Sequence, residues 1–412
     1  MLRGIRVLDF CWVGAGALVT KLLAEHGAEV IKIESHARPD NLRLSPPYAP
    51  GVDGLDRSGY FASRNNDKRS FALNMSLPRG QQLARELASR CDLVTNNFRP
   101  GVMERWGLGY EDVAQLNPSV IYLAMSMQGA DGPNRHYVGF GSTIAALAGL
   151  VQLSGQPNRE PVGTGTHYPD HIPSPGHALV AVLAAIRRRE QTGRGALIEV
   201  SQLEATVNMV ASAISAAALG EEPKRQGNRS DLACPSGVFR CRGEDEWCAL
   251  AARNQEQWLA LAAVLDGRPL RDGSRPLAGG RLLADARFVT LEGRRAHEDE
   301  LELAIAALVA DRDRNELASS LQAAGVPAWP VLSSVDLLED EQLRERNFWR
   351  SLTHPVLGRI AAPSAPFRAG EDRTGPTQAA PTLGEHTREL AHELLALSDQ
   401  EIDVLAAEQV LW

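Results

Sequence analysis

The stretch GIRVLDFCWVGAGALVTKLLAEHGAEVIKIE, residues 4–34, decides the fold because it contains two apolar runs separated by a helical pattern. Residues 5–10 have the apolar content of a buried strand, and a loop with two glycines follows them. Residues 18–26 have helical periodicity, Gly27 marks a turn, and residues 30–33 form the second apolar run. The pattern predicts a βαβ unit, whose strands are parallel because the crossover between them is right-handed.

Helices and strands continue to alternate as far as residue 200. Further strands are predicted at 92–96, 120–125 and 197–200, and further helices at 80–89, at 110–116 and after Asp170. This alternation predicts an α/β fold, with a large doubly wound, Rossmann-like parallel sheet covered by helices on both faces. Ligands of such sheets bind beyond the carboxyl ends of the strands, and Gly14, Asn97 and Ser126 fall at those ends.

The pattern of predicted helices and strands changes near residue 226, which predicts a second, smaller domain. Short alternating segments at 237–242 and 247–251 indicate antiparallel strands, and amphipathic helical patterns follow them. We therefore divide the chain into four segments: a large Rossmann-like domain at 1–205, a linker at 206–229, a small α+β domain at 230–332, and a Pro-rich connector with C-terminal helices at 333–412.

Composition excludes several classes of protein. The formal charge of −8 argues against a nucleic-acid partner, since phosphate binding needs clustered Lys and Arg. No run approaches the roughly 18 apolar residues of a membrane helix, and the first residues enter a strand pattern that leaves no room for a signal peptide. We expect a cytoplasmic protein without a membrane partner. The five cysteines form no CxxC pair, so neither disulfides nor a zinc site is expected.

Asp170 is the candidate catalytic residue. It lies in the segment THYPDH, residues 166–171, within a Gly- and Pro-rich loop at 161–176 that precedes an apolar helix. Such a loop can direct a side chain into a cleft while the helix anchors the backbone. The alternative is an ordinary solvated or capping aspartate. The nearby histidines 167, 171 and 177 have no zinc-ligand spacing, so we expect no metal there.

The first loop also permits a nucleotide-binding hypothesis. Gly14 and Gly16 follow a strand, and Glu34 ends the next strand where an acidic residue would hold a ribose, but Val19 stands where the third glycine belongs. Basic residues recur after the predicted strands, and they form either a solvated face or a clamp for a diphosphate and a 3′-phosphate. These are Arg38, Arg43, Lys68, Arg69, Arg99 and Arg105.

Eight stretches, in order along the chain, resemble the family III CoA-transferases, the CaiB-BaiF family. They are GIRVLDF (4–10), LAEHGAEVIKIE (23–34), DKRSFALN (67–74), DLVTNNFRPG (92–101), GLGY (107–110), NP (117–118), TGRG (192–195) and LGEHT (383–387). The resemblance implies an enzyme that moves CoA from an acyl-CoA donor to a carboxylic acid acceptor. It also implies that Asp170 forms a mixed anhydride and then an aspartyl-CoA thioester.

The resemblance implies further residues and partners. CoA-binding positions carry over to Gly14, Ala15, Arg38, Leu73, Asn97, Phe98 and Arg105. The CoA thioester is then a substrate, and no permanently bound cofactor or metal is expected. Family members form interlaced homodimers, and in them the C-terminal segment returns to the large domain. The loops at 12–16 and 168–171 are similar to those of the branch that uses succinyl-CoA and an acid such as benzylsuccinate.

Two departures from the family and one rival activity accompany the resemblance. Some members have Gln where this chain has Gly14, and the Gly-tetrad loop of some members is not visible in the small domain. The rival is an α-methylacyl-CoA racemase, which uses a His in a Gly-His-Asp motif as a second acid/base. This chain reads VGFGS at 138–142, with His136 nearby. An NAD oxidoreductase and a non-enzymatic CoA-binding protein are two further hypotheses.

Overall fold

The computed structural model describes residues 1–266, 282, 285–369 and 374–412, which form two compact units. The large unit comprises residues 1–152, 163–223 and 340–412, and the small unit comprises residues 153–162 and 224–339. Parts of two predicted segments, residues 267–281 and 283–284 of the small domain and 370–373 of the connector, lie outside the described residues.

The strands are β1 (Arg6–Phe10), β2 (Glu29–Glu34), β3 (Arg69–Ala72), β4 (Leu93–Asn96), β5 (Ile121–Ala124), β6 (Ala196–Glu199), β7 (Ser236–Arg240), β8 (Trp247–Ala251), β9 (Ala328–Pro330), β10 (Trp349–His354) and β11 (Gly358–Pro363). The helices are α1 (Ala15–Glu25), α2 (Gly59–Arg64), α3 (Pro78–Ala88), α4 (Val102–Arg105), α5 (Tyr110–Leu116), α6 (Gly141–Leu147), α7 (Leu150–Leu153), α8 (Tyr168–His171), α9 (Pro173–Thr192), α10 (Gln202–Val207), α11 (Ala211–Ala218), α12 (Gln255–Asp266), α13 (Leu291–Ala296), α14 (Glu298–Val309), α15 (Arg314–Ala323), α16 (Ser334–Glu339), α17 (Glu341–Glu345), α18 (Thr387–Leu395) and α19 (Asp399–Ala407).

A six-stranded parallel sheet in the order β3-β2-β1-β4-β5-β6 organises the large unit. Val7 of β1 pairs with both Val30 and Leu93, so β1 lies between the two halves of the sheet. The predicted doubly wound parallel sheet is confirmed. Strand β3 was not among the predicted strands, because its RSFA sequence is too short to produce a periodic signal. The strand order reverses between β1 and β4, where doubly wound sheets bind ligands.

Both faces of the sheet are buried beneath helices. Alternate residues of a strand point to opposite faces, and the neighbours Val7 and Leu8 accordingly belong to two different apolar cores. Val7 lies in a core with side chains of α1 and α9, whereas Leu8 lies in a core with side chains of α3, α18 and α19. This burial explains why neighbouring residues of a strand, such as Val7 and Leu8, are both apolar.

The small unit contains the three-stranded antiparallel sheet β7-β8-β9 with helices packed on it, as the α+β prediction requires. Its three cysteines, Cys234, Cys241 and Cys248, are buried in the same apolar core, and burial raises the pKa of Cys248 to about 12. Residues 206–223, which the sequence assigned to a linker, contain α11 and belong to the large unit.

No helix in the described parts of the chain is long and apolar enough to cross a membrane.

Candidate active site

Asp170 is buried, with 7% of its surface exposed, in the one-turn helix α8. The sequence pattern predicted an irregular loop here, but Pro169 fits the first turn of a helix, where a missing N–H costs nothing. Pro173 then begins the long helix α9. The backbone N–H of Asp170 donates to the carbonyl of His167 at 3.0 Å. The carboxyl group is therefore held by local helical structure rather than by a mobile loop.

Two glycine backbones lie against the Asp170 side chain. A Cβ atom added at Gly14 would stand 2.7 Å from Cβ of Asp170, and one added at Gly141 would stand 2.5 Å from its Oδ2. The backbone N–H of Gly141, the first residue of α6, also donates to the Asp170 carboxyl group. The sequence pattern indicated Gly14 but not Gly141. The only signal for Gly141 was the segment VGFGS, which aligns with the histidine motif of the racemases.

The charge state of Asp170 reflects its burial. Burial raises the pKa of Asp170 to about 6, against the opposing effects of His167, Arg64 and the Gly141 hydrogen bond. Burial and the charges of Arg64 and His167 lower the pKa of His171 to about 4. His171 is consequently neutral near pH 7, and its ring nitrogens lie 3.4 Å from the Tyr60 hydroxyl and 3.3 Å from that of Thr166.

The loop after β1 is held by side-chain acceptors from three parts of the large unit. The backbone N–H groups of residues 11, 12 and 13 donate in turn to Asp9 at 2.9 Å, Asn97 at 2.9 Å and Asp40 at 3.0 Å. Val13 has φ +61°, a left-handed conformation that β-branched residues rarely adopt. The three acceptors stabilise this conformation, which brings the next residue, Gly14, against Asp170.

A cavity of about 650 Å³ lies beside Asp170 at the carboxyl ends of β1 and β4. Four of the predicted CoA-binding residues line it: Gly14, Ala15, Asn97 and Phe98. An adjoining slot of about 290 Å³ is lined by Arg38, Leu73 and again Phe98. Arg105, the seventh predicted position, is on neither wall; it is exposed at the end of α4, whose first residue Val102 lines both spaces.

The slot has aromatic walls, of which the sequence analysis indicated only Phe98. The rings of Trp12 and Phe98 meet edge to face with centroids 5.3 Å apart, and those of Phe98 and Trp106 do so at 5.6 Å. Trp12 follows β1, and Trp106 follows the helix after β4, so both lie near ligand-binding strand ends. An apolar slot walled by aromatic rings can accommodate a planar heterocycle.

Two of the basic residues considered for phosphate binding form buried ion pairs instead. Arg43 is fully buried and pairs with Glu34 at 2.7 Å, and Lys68 is buried and pairs with Asp9 at 3.1 Å. The hypothesis of a phosphate clamp is therefore wrong for these two residues. Both carboxylate oxygens of Glu34 accept hydrogen bonds from Arg43. Glu34 is therefore not available to bind a ribose, as an NAD enzyme would require.

Three other basic residues lie in exposed positions. Arg38, Arg99 and Arg105 are exposed and form no ion pair with any carboxylate in the described parts of the chain. Arg38 borders the aromatic slot and Arg99 borders the cavity beside Asp170. Charged groups of this kind are available to bind phosphate oxygens.

Residues 138–142, which align with the racemase histidine motif, contain no histidine. His136 is exposed and accepts a hydrogen bond from Arg135 at 3.0 Å, while Gly139, Phe140 and Gly141 form the cavity wall. Across residues 1–266, 282, 285–369 and 374–412, no three His, Cys, Asp or Glu side chains come together as metal ligands.

Comparison with known proteins identifies the family of the chain. The sequence matches the CoA-transferase family III model over residues 2–387. A succinyl-CoA:glutarate CoA-transferase of Mus musculus is 28% identical over 412 residues, covering all of this chain and 90% of that protein. A succinyl-CoA–D-citramalate CoA-transferase of Chloroflexus aurantiacus is 30% identical over 411 residues, covering 100% of this chain and 98% of that protein.

A solved structure has the same fold. The crystal structure of a CaiB/BaiF family protein from Brucella suis has a TM-score of 0.84 at 27% identity, covering 95% of this chain and 99% of that one. The sequence match extends over nearly the whole chain, and the six-stranded parallel sheet agrees with the shared fold. The chain therefore belongs to the family III CoA-transferases and is an enzyme of that class.

Proposed function

We propose that this enzyme transfers CoA from succinyl-CoA or a related acyl-CoA to a carboxylic acid, through an aspartyl-CoA thioester on Asp170. The observation that carries the proposal is the buried carboxyl group of Asp170 on the wall of a cavity at the sheet's switch point. The relatives from mouse and Chloroflexus are both named as succinyl-CoA transferases, which supports succinyl-CoA as the donor.

The proposed reaction is a series of exchanges at carbonyl carbons. The Asp170 carboxylate attacks the thioester carbon of the donor, the C–S bond breaks, and CoA leaves as a thiolate. The thiolate then attacks Cγ of Asp170 in the mixed anhydride, which releases the donor acid and leaves the aspartyl-CoA thioester. The acceptor carboxylate attacks the same Cγ and expels the thiolate, which finally attacks the acceptor carbonyl and frees Asp170.

The surroundings of Asp170 suit this chemistry. The glycines at 14 and 141 leave no side chains over the carboxyl group, so a bulky thioester has room to form there. The Gly141 N–H points at the carboxyl group and is available to stabilise negative charge that develops on its oxygens. Burial also removes water from the carboxylate, which makes it less solvated and protects the anhydride from hydrolysis.

In this proposal, CoA binds in the two adjoining spaces of the large domain. The adenine would occupy the aromatic slot beside Trp12 and Phe98, and the pantetheine arm would extend through the larger cavity to Asp170. Arg38, Arg99 and Arg105 would bind the phosphates. In this proposal all seven predicted CoA-binding residues act on CoA, and residues 1–205 form the CoA-binding domain.

We also propose that the enzyme is an interlaced homodimer. Helix α11 consists of small and apolar residues, yet none of its residues is buried in the single chain. Ile214 in this helix is 49% exposed, and Val180 and Leu183 of α9 are 70% and 43% exposed. A second copy of the chain that covers α9 and α11 would bury these exposed apolar side chains. Light scattering at micromolar concentration should then give twice the 44.6 kDa mass of one chain.

The covalent step is tested by trapping the intermediate. The protein is incubated with succinyl-CoA and a panel of other acyl-CoAs, quenched with hydroxylamine, digested and analysed by mass spectrometry. A hydroxamate on the peptide that contains Asp170, absent from Asp170→Asn, is the expected result.

Different outcomes separate the competing functions. Absence of any adduct, together with deuterium exchange at the α-carbon of a branched acyl-CoA, would overturn the transferase proposal in favour of a racemase. CoA binding without turnover, unaffected by Asp170→Asn, would indicate a binding protein. The cytoplasmic location stays a prediction that cell fractionation would test.

A further inference from the structure

Arg64, the last residue of α2, is a cation beside Asp170 that lacks a permanent anion. It is half-buried, and its Nε is a buried donor without a hydrogen-bond partner. No carboxylate of the described residues forms an ion pair with it. Its guanidinium carbon lies 5.6 Å from the centre of the Tyr60 ring, a cation–π contact. Burying a guanidinium N–H without a hydrogen-bond acceptor costs free energy. The unpaired Nε therefore indicates that a ligand supplies the acceptor.

The charge of Arg64 acts on the reacting group. It favours the ionised form of the Asp170 carboxyl and disfavours protonation of His171. In the proposed reaction Asp170 becomes a neutral anhydride and then a neutral thioester. At these stages the negative charge of Asp170 is gone, and a carboxylate that enters with the substrate can become the partner of Arg64.

A second cavity next to Asp170 provides space for that carboxylate. Its volume is about 710 Å³, and its walls include Tyr60, Thr166 and His171 together with His167 and Ser142. Tyr60 lines this cavity and also contacts Arg64, so the cation lies at its edge. His171 is uncharged and offers only neutral hydrogen bonding. Asp170 lines the CoA-side cavity, whereas His167 and His171, on either side of it, line the second cavity.

We propose that Arg64 binds the second carboxylate of a dicarboxylic acyl group, the carboxylate remote from the carbon that reacts with Asp170. The proposal rests on the proposed function, because it places the acyl group in the second cavity while CoA occupies the first. The guanidinium supplies paired N–H donors that match a carboxylate, and the half-buried position strengthens the interaction. Arg64 is then the residue that makes the enzyme prefer dicarboxylic over monocarboxylic substrates.

The experiment compares substrates that differ only in the remote group. We would measure kcat/KM for succinyl-CoA and butyryl-CoA, whose acyl chains have equal length, with the wild type, Arg64→Met and Arg64→Lys. The wild type should prefer succinyl-CoA, and the preference should fall at least about tenfold in Arg64→Met, which keeps an unbranched side chain but removes the guanidinium group. Arg64→Lys should retain part of it, since it restores charge without the planar fork.

A matched control is Arg90→Met, which removes an exposed arginine at the end of α3, remote from the strand ends that carry the site. Its preference should equal that of the wild type. An unchanged preference in Arg64→Met, or a wild type without any preference, would overturn the inference. If Arg64→Met does not fold, Arg64→Lys decides the question, since an undiminished preference in that variant would mean that guanidinium geometry has no role.

The hydroxylamine experiment separates this inference from the proposed function. If the wild type forms an Asp170 adduct with both succinyl-CoA and butyryl-CoA at equal rates, the transferase mechanism stands and the role of Arg64 is refuted. If neither donor forms an adduct, the mechanism itself fails. The same comparison with glutarate and pentanoate as acceptors shows whether Arg64 acts on the donor, the acceptor or both.

Discussion

The backbone of Gly141 lies directly against the carboxyl group of Asp170, so that a Cβ atom added at position 141 would stand 2.5 Å from Oδ2 of Asp170. The same glycine begins α6 and donates its N–H to that carboxyl group. Gly14 approaches Asp170 in the same way, at 2.7 Å for an added Cβ. A side chain at position 14, such as the Gln of some family members, would therefore have to displace Asp170 in this chain.

Gly141→Ala should disable the covalent step while the protein stays folded. The added methyl group must displace the Asp170 carboxyl group, and a misplacement of about 1 Å can reduce a rate about a hundredfold. The measurement is the rate of hydroxamate formation on the Asp170 peptide. Gly176→Ala is the matched control, since a Cβ there meets nothing within 4 Å. Equal rates in the two variants would contradict the packing argument.

Asp170→Asn should make the protein more stable at neutral pH. The folded-state pKa of Asp170 is raised to about 6 from 3.8, so the folded protein resists losing this proton between those values while the unfolded chain loses it. The wild type therefore loses stability as pH rises from about 4 to about 6, by about 3 kcal/mol at most. Urea unfolding at pH 7 should show a gain for Asp170→Asn that disappears near pH 4. A gain of the same size at both pH values would contradict the assigned cause.

Acylation of Asp170 should depend on pH through this same group. Only the carboxylate is nucleophilic, so the rate of single-turnover acylation should rise with pH around 6 and then level off. At pH 5 it should be about one tenth of the plateau. The pKa of His171 is lowered to about 4. Titration of His171 should therefore cause no second change in the acylation rate above pH 5. Rapid-quench measurements with succinyl-CoA between pH 5 and 8 check this, and a rate independent of pH would count against Asp170.

Lys68→Met should destabilise the large unit strongly. Lys68 donates from Nζ to Asp9 at 3.1 Å, and its removal leaves the Asp9 carboxylate buried without a cation at that distance. Breaking a buried ion pair from one side costs about 3–5 kcal/mol. Asp9→Asn combined with Lys68→Met should recover part of the loss. The exposed Lys224→Met serves as the control in urea unfolding, and a similar effect from both lysines would refute the role of the pair.

The sheet was predictable because its strands carry a local signal. Residues 5–10 and 30–33 are apolar runs of strand length with a helical pattern between them, and they became β1 and β2. The short strand β3 lacked such a run and was missed. The hairpin of β10 and β11 was also missed, because its exposed positions obscure the alternation that marks a strand.

The site was only partly predictable. Asp170 was indicated by its loop before an apolar helix and Gly14 by its position at a strand end, the family resemblance added their roles, and both residues lie on the same cavity. Gly141 was noticed only as part of the segment aligned with the racemase motif and Arg64 was missed, since each is placed beside Asp170 by the fold and not by a local pattern. Arg43 and Lys68 look like the other basic residues in the sequence, but their carboxylate partners lie inside the core.

The sequence by itself determined the parallel α/β sheet, the antiparallel strands of the small unit, the family, and Asp170 as the candidate nucleophile, because hydrophobic periodicity and contiguous motifs are local properties of the chain. The tertiary structure alone decided which glycines contact Asp170, which cations form buried ion pairs with carboxylates, and that Arg64 lies beside Asp170 without an ion pair in the described residues. Those properties depend on distances between residues far apart in sequence, and on how much each group is withdrawn from water, neither of which a linear pattern specifies.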